Sequence, residues 1–250
     1  MIHYHGCPIT PEADGARILK GKHAMVSFAH PSQLPMVAEV CQSFCLDNGA
    51  FSAWRSGDPV TDWSKFYEWV EFWYRNPGFD FVLIPDVIEG SEGDNDRLIQ
   101  EWPFSRTVGV PVWHLHESLD RLEKLVNEWP RISFGSSGRY ERVGDRIWWG
   151  RMSEAMRVCC DDLGRPKSKL HGLRMLDPAV FTKLPFSSAD STNVARNVGI
   201  DKNWEGSRYA PKSKTIRGLI LADRAEQFNS ASVFTKFEFQ PTSIFDFEEQ

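Results

Sequence analysis

Several things are scarce in this chain, and each scarcity excludes a class of protein. No apolar run approaches the ~18 residues that a membrane-spanning helix needs, so no membrane span or membrane partner is expected. The opening MIHYHGCP lacks the basic segment and apolar core of a secretory signal, which gives a cytoplasmic expectation. Cysteine is limited to five residues, Cys7, Cys41, Cys45, Cys159 and Cys160, and none forms a CxxC pair. The odd number and the adjacent Cys159 and Cys160 predict reduced, mostly buried thiols. Positive charge is not in surplus: the net charge of -5 argues against broad coating of nucleic acid but leaves room for a local basic patch. Low-complexity segments and a dividing linker are both missing, so residues 1–250 read as one domain.

What is present is a repeated pattern. Hydrophobic residues make up 41% and charged residues 25%, enough to bury a core and keep a solvated surface. Eight short apolar runs cover 1–6, 24–30, 43–51, 80–87, 110–116, 131–138, 169–175 and 185–191. Their C-terminal ends carry His5, His30, Asp47, Asp86, His116, Ser137, Arg174 and Asp190. Stretches of helical character separate most of them. Eight such units in 250 residues predict an α/β fold, a single (β/α)₈ barrel over about 1–228 with a C-terminal extension over 229–250. In that architecture the active site lies at the C-terminal ends of the strands. Among the helices, Ser118 reads as an N-cap for SLDRLEKLVNEW, 147–163 as a long helix and 216–228 as the closing one. Trp63, Phe66, Trp69, Phe72 and Trp73 form an aromatic stripe, starting near Thr61, that should pack on the barrel.

Five constellations could carry chemistry. In LDNGAF, Asp47 ends a run and Asn48-Gly49 permit a tight turn; Asp47 either caps that turn or shows its carboxylate to a ligand beside Gly49 and Phe51. In SSADST, Asp190 is a helix cap, a metal ligand or a nucleophile. In IPDVIEG, Asp86 ends the fourth run. Three aspartates at three strand ends would be gathered around one mouth, where mutual repulsion favours a cationic or proton-sharing partner. The pairs His3/His5 and His114/His116 have HxH spacing, which suits a metal. With Asp190 they resemble the metal-dependent amidohydrolase barrels, although no histidine lies in RISFGSSG. In FGSSG, Ser136 and Ser137 leave room for a flat ligand. The stretch 202–217 holds Lys202, Arg208, Lys212, Lys214 and Arg217 against Glu205, and is either a phosphate-binding patch or a solvated loop.

Taken in order, LDNGAF, IPD, FGSSG and SSADST resemble the tRNA-guanine transglycosylases, which are (β/α)₈ barrels. LDNGAF is similar to the family's DSGGF-type motif, with Asn48 and Ala50 in place of Ser and the second Gly. The likeness covers about 43–192, and the family's cysteine-histidine zinc site has no counterpart. A short chain of this kind is more similar to compact phage and bacterial relatives that place 7-deazaguanine bases in DNA. The resemblance implies a base-exchanging glycosyltransferase acting on nucleic acid, DNA before RNA, with a free 7-deazaguanine as second substrate. It implies Asp190 as nucleophile, Asp47 as proton carrier, and Asp86 as acceptor for the base's N-H groups. It places His114, His116, Ser136, Ser137, Gly49 and Phe51 around the base and the 202–217 cations on phosphates. It needs no metal or redox cofactor, allows a homodimer, and sets the work in a bacterial host's cytoplasm if the source is a phage. Two other readings stand beside it: a metal-dependent hydrolase using His3, His5, His114, His116 and Asp190, and a barrel that binds nucleobases or nucleic acid without turnover.

Overall fold

The computed structural model describes residues 1–199 and 211–235. Each of the eight apolar runs becomes strand. Among the described residues, β1 (Ile2–Gly6), β2 (His23–Ser27), β3 (Ser43–Asp47), β4 (Phe79–Leu83), β5 (Gly109–Val110), β6 (Val112–His114), β7 (Arg131–Gly135), β8 (Lys169–Gly172) and β9 (Ser188–Ser191) form one parallel sheet. The strand order is β5-β4-β3-β2-β1-β9-β8-β7-β6. The two ends of that order are separated in the chain by Pro111 alone. Proline has no N-H to give the ladder, so one strand is divided into two short ones. Ile84 N donates to Val110 O and Ser133 N donates to Pro111 O, both at 2.9 Å, so this segment joins β4 to β7 and closes the ring. The architecture is a (β/α)₈ barrel.

Helices alternate with the strands: α1 (Glu12–Leu19), α2 (Leu34–Val40), α3 (Ala50–Ser56), α4 (Ser64–Trp73), α5 (Glu92–Gln100), α6 (Leu119–Glu128), α7 (Arg146–Cys159), α8 (Pro178–Phe181), α9 (Asn193–Asn197) and α10 (Lys214–Glu226). Ser118 caps α6 by accepting from Arg121 N at 3.2 Å, as expected. The long helix expected over 147–163 is shorter: Asp145 caps it, and Cys160 leaves it in extended backbone to bridge Pro166. The aromatic helix starts at Ser64 rather than near Thr61, because Asp62 Oδ1 takes the Ser64 N-H at 2.9 Å. Trp63 and Phe66 are buried against the barrel, but Phe72, expected in the same stripe, points to solvent at 77% exposure.

The period-2 alternation of the strands builds two apolar layers. Tyr4, Met25, Cys45, Phe81, Leu83, Val110 and Val112 fill the barrel interior. The opposite faces join a continuous outer core with residues from α1, α2, α4, α6, α7 and α10. Towards the strands' N-terminal ends, Tyr4 Oη donates to Asp80, whose Oδ2 also lies 3.1 Å from Arg131 Nη1. The Arg131 guanidinium sits 4.4 Å over the Phe81 ring. The interior below the mouth is therefore packed, not hollow. All five cysteines are free thiols and four of them are buried. Among the described residues no helix is long and apolar enough to cross a membrane. Of the expected C-terminal extension, 229–235 is described: Asn229 Oδ1 accepts from the N-terminal amine and Phe234 N donates to Gly164 O. Residues 236–250 lie outside the description.

Candidate active site at the strand ends

The C-terminal ends of the strands surround a cavity of about 440 Å³ lined by Asp47, Asp86 and Asp190 together. The size suits a small-molecule ligand, whose sites run from roughly 300 to 1,000 Å³. Met25, Leu83 and Leu173 give it an apolar floor. The three carboxylates reach it from β3, the loop after β4, and β9.

Asp47 is the perturbed member. Burial, and then the nearby charges of Asp190 and Asp86, push its carboxyl up to about 6 against hydrogen bonds from Ser27 and Gly49 that hold it down. The next two residues explain the turn. Gly49 has φ of 81°, the left-handed region, and a Cβ there would sit 2.9 Å from Ala29 N. Asn48 is buried with its amide committed: Nδ2 donates to Ile84 O and Asp86 Oδ1, both at 2.8 Å, and Oδ1 accepts from Ala50 N. Asparagine at this position therefore ties the β3 turn to the β4 turn.

Asp86 is held on both sides, by Asn48 and by His114 Nε2 at 2.8 Å from Oδ2. Beside a carboxylate that nitrogen carries the proton. Each Asp86 oxygen keeps a second lone pair for a ligand donor. The other ring nitrogen, His114 Nδ1, is buried without a partner. It faces Gly135, where an added Cβ would come within 2.7 Å, so only glycine leaves the ring its place. Below, Glu117 accepts from His114 N (2.9 Å), Asn95 Nδ2 (2.8 Å) and Arg121 Nη1 (2.6 Å), and fixes the end of β6.

Asp190 is held at one oxygen. Oδ1 accepts from Arg174 N at 2.9 Å and lies 3.5 Å from His171 Nε2. His171 is oriented by Ser188 Oγ, 2.8 Å from its Nδ1. Among the described residues Oδ2 has no hydrogen-bond partner, so it is the oxygen left for a ligand. Arg174, with φ of 58°, is the only non-glycine residue with positive φ among those described. It donates from Nη2 to Ser136 O and its guanidinium lies 4.3 Å over the Phe51 ring, spanning the mouth.

Of the residues expected from sequence, Asp47, Asp86, Asp190, His114, Ser136, Ser137 and Phe51 all line the cavity. Ser136 Oγ is taken by Trp148 Nε1 at 2.9 Å, so that hydroxyl serves the wall first. Gly49 and His116 do not line it. Gly49 shapes the turn, and His116 lies beyond the end of β6, exposed, with its ring stacked on His114 at 5.6 Å. The expected metal pairing of the two HxH motifs is corrected by the parity of β1. Tyr4 points inward, so its neighbours point out: His3 Nε2 donates to Phe228 O at 2.9 Å and His5 Nε2 pairs with Glu226 at 2.7 Å, both on the outer layer. No group of three or more potential ligands gathers among the described residues.

The expected phosphate patch fares differently by residue. Lys202 and Arg208 lie outside the described residues. Arg217 is corrected: it is buried, and its guanidinium donates to Val198 O, Pro211 O and Lys212 O, an internal staple rather than a free cation. Lys214 Nζ donates to Thr10 O, and Lys212 is exposed. Three arginines that sequence reading did not assign to the site, Arg55, Arg174 and Arg196, do line the mouth. Arg174 ends an apolar run, which was a signal; Arg55 and Arg196 are single cations in the short helices α3 and α9 and gave none. No family model matches the chain, and no curated protein matches it.

Proposed function

We propose that this barrel exchanges a guanine in nucleic acid, DNA before RNA, for a 7-deazaguanine base through a covalent aspartyl-sugar intermediate. The observation that carries the reading is the convergence of Asp47, Asp86 and Asp190 on one cavity, with Asp47 poised near 6. The choice of a purine and of DNA rests on the likeness of LDNGAF, IPD, FGSSG and SSADST to the transglycosylases.

The target base must first leave its stack, at a cost of a few kcal/mol in a duplex. Asp190 Oδ2 then attacks the anomeric carbon as the glycosidic bond breaks, and its electron pair departs with guanine. Arg174 N-H holds Oδ1 still during this step. Protonated Asp47 gives its proton to the leaving base. As a carboxylate it then takes a proton from the incoming deazaguanine, whose nitrogen displaces Asp190 and restores the original configuration. Asp86 accepts from the base's N-H groups while Asn48 and His114 keep it in place. The protons balance over the cycle, and the chemistry draws on no group beyond these side chains and the two bases.

The test is Asp190→Asn and Asp190→Ala, assayed for release of labelled guanine from an oligonucleotide and for a mass-shifted protein-nucleic acid adduct. Both variants should lose at least 10³-fold in exchange, roughly the scale on which covalent catalysis depends. Exchange at the wild-type rate removes Asp190 from the nucleophile's role. Base binding that survives in both variants and no turnover in the wild type on any nucleobase would make the chain a binding barrel.

A further inference from the structure

The charges of the mouth are layered. Its depth holds the carboxylates Asp47, Asp86 and Asp190, while Arg55, Arg174 and Arg196 line the same cavity. The three arginines come from different elements: Arg55 from α3, Arg174 from the loop after β8, and Arg196 from α9. Each element follows a strand, so all three stand at the same end of the barrel. Arg55 and Arg196 are exposed, and neither side chain forms an ion pair or hydrogen bond among the described residues. They are close enough to Arg174 to disfavour its charge, after burial, while Asp190 and Glu141 favour it. Arg55 and Arg196 add like charge beside Arg174 with no ion-pair partner of their own among the described residues, a cost that an anion bound between them offsets.

A neutral nucleobase explains the deep carboxylates but not the cations above them. A sugar phosphate attached to that base places its negative charges where the guanidinium groups are, and arginine's planar fork suits phosphate oxygens. We propose that Arg55, Arg174 and Arg196 form a phosphate-binding rim that grips the phosphodiester backbone on either side of the nucleotide whose base enters the mouth. The substrate is then a nucleotide within a strand, not a free nucleoside. This inference rests on the reading above that a base enters the cavity, and it moves the backbone contact from 202–217 to the mouth itself.

The probe is a fluorescent seven-nucleotide single strand with one central guanine, in DNA and RNA forms, followed by anisotropy across a salt series. The proteins are wild type, Arg55→Ala/Arg196→Ala, Arg55→Gln/Arg196→Gln, and the control Arg75→Ala/Arg106→Ala. The control makes the same charge change at residues that precede β4 and β5, at the opposite end of the barrel. Each lost phosphate contact lowers the slope of log affinity against log salt by about 0.7, so both rim doubles should lose about 1.4. At low salt they should bind at least tenfold more weakly, with an unchanged Tm. The control should keep the wild-type slope. A wild-type slope in both rim doubles, or an equal loss in the control, overturns the rim. A larger loss for one of the two nucleic acids identifies the source of the phosphates and supports it. Binding needs no turnover, so the two readings fail separately. A normal rim effect without exchange sinks the reaction; exchange on free guanosine as fast as on the strand, with no slope change, sinks the rim.

Discussion

Asp47 shows how one residue can be set against the stability of the fold that holds it. Its carboxyl sits at about 6 in the folded chain, against 3.8 for an ordinary aspartate. The folded state therefore holds the proton more tightly than the unfolded chain. Stability falls as pH rises from about 4 to 6, and the loss stays constant above that window. Asp47→Asn removes the charge and should stabilise the protein at pH 7.5 by on the order of 2 kcal/mol, or roughly 4–8 °C in Tm. The gain should shrink as pH drops through 6 and vanish near 4. Melting curves of both proteins across pH 4–8 check this, and a gain independent of pH would remove the strain from Asp47. The same residue was visible in sequence because a strand-ending aspartate before Asn-Gly is a recognisable turn. Its perturbation was not, because it comes first from burial in the folded barrel and then from Asp190 and Asp86, which lie far along the chain.

At the level of elements, the Glu117-Arg121 pair is the joint that holds the end of β6 to α5 and α6. The Arg121 and Glu117 side chains are 2% and 0% exposed and 2.6 Å apart. Arg121 also reaches Asp96 at 2.8 Å and Val112 O at 3.2 Å. Arg121→Ala leaves Glu117 buried with one partner fewer, and should cost about 3 kcal/mol. For a domain of this size that is a fall of roughly 6–12 °C in Tm, read by calorimetry. A cost under about 1 kcal/mol would show that the pair is not the joint. Much of this level was legible: the eight runs and the Ser118 cap follow from local pattern. Helix α3 was not, because AFSAWRS between Gly49 and Gly57 looks like loop until both glycines are seen as its two caps. The HxH pair of β1 misled for a related reason. Spacing places two histidines on one face of a strand, but only Tyr4's place in the interior decides which face.

At the scale of the whole molecule, the described residues share a continuous outer core that includes most of the helices, and the bonds on either side of Pro111 close the barrel's ring. Loss of any strand opens the ring, so unfolding should be cooperative. Tryptophan fluorescence, with ten reporters along the chain, and far-UV circular dichroism should therefore give coincident urea curves. Separate midpoints would mean that the barrel comes apart in sectors.

Among the described residues the packed tier of Tyr4, Met25, Cys45, Phe81 and Val112 blocks the barrel below the mouth and turns it into a blind chamber. Whatever enters must depart by the route it came in. In the proposed exchange, the first base would therefore vacate the chamber before the second is admitted. In that interval of the proposed cycle the sugar would carry no base, and the bond to Asp190 would keep the strand from drifting off half-finished.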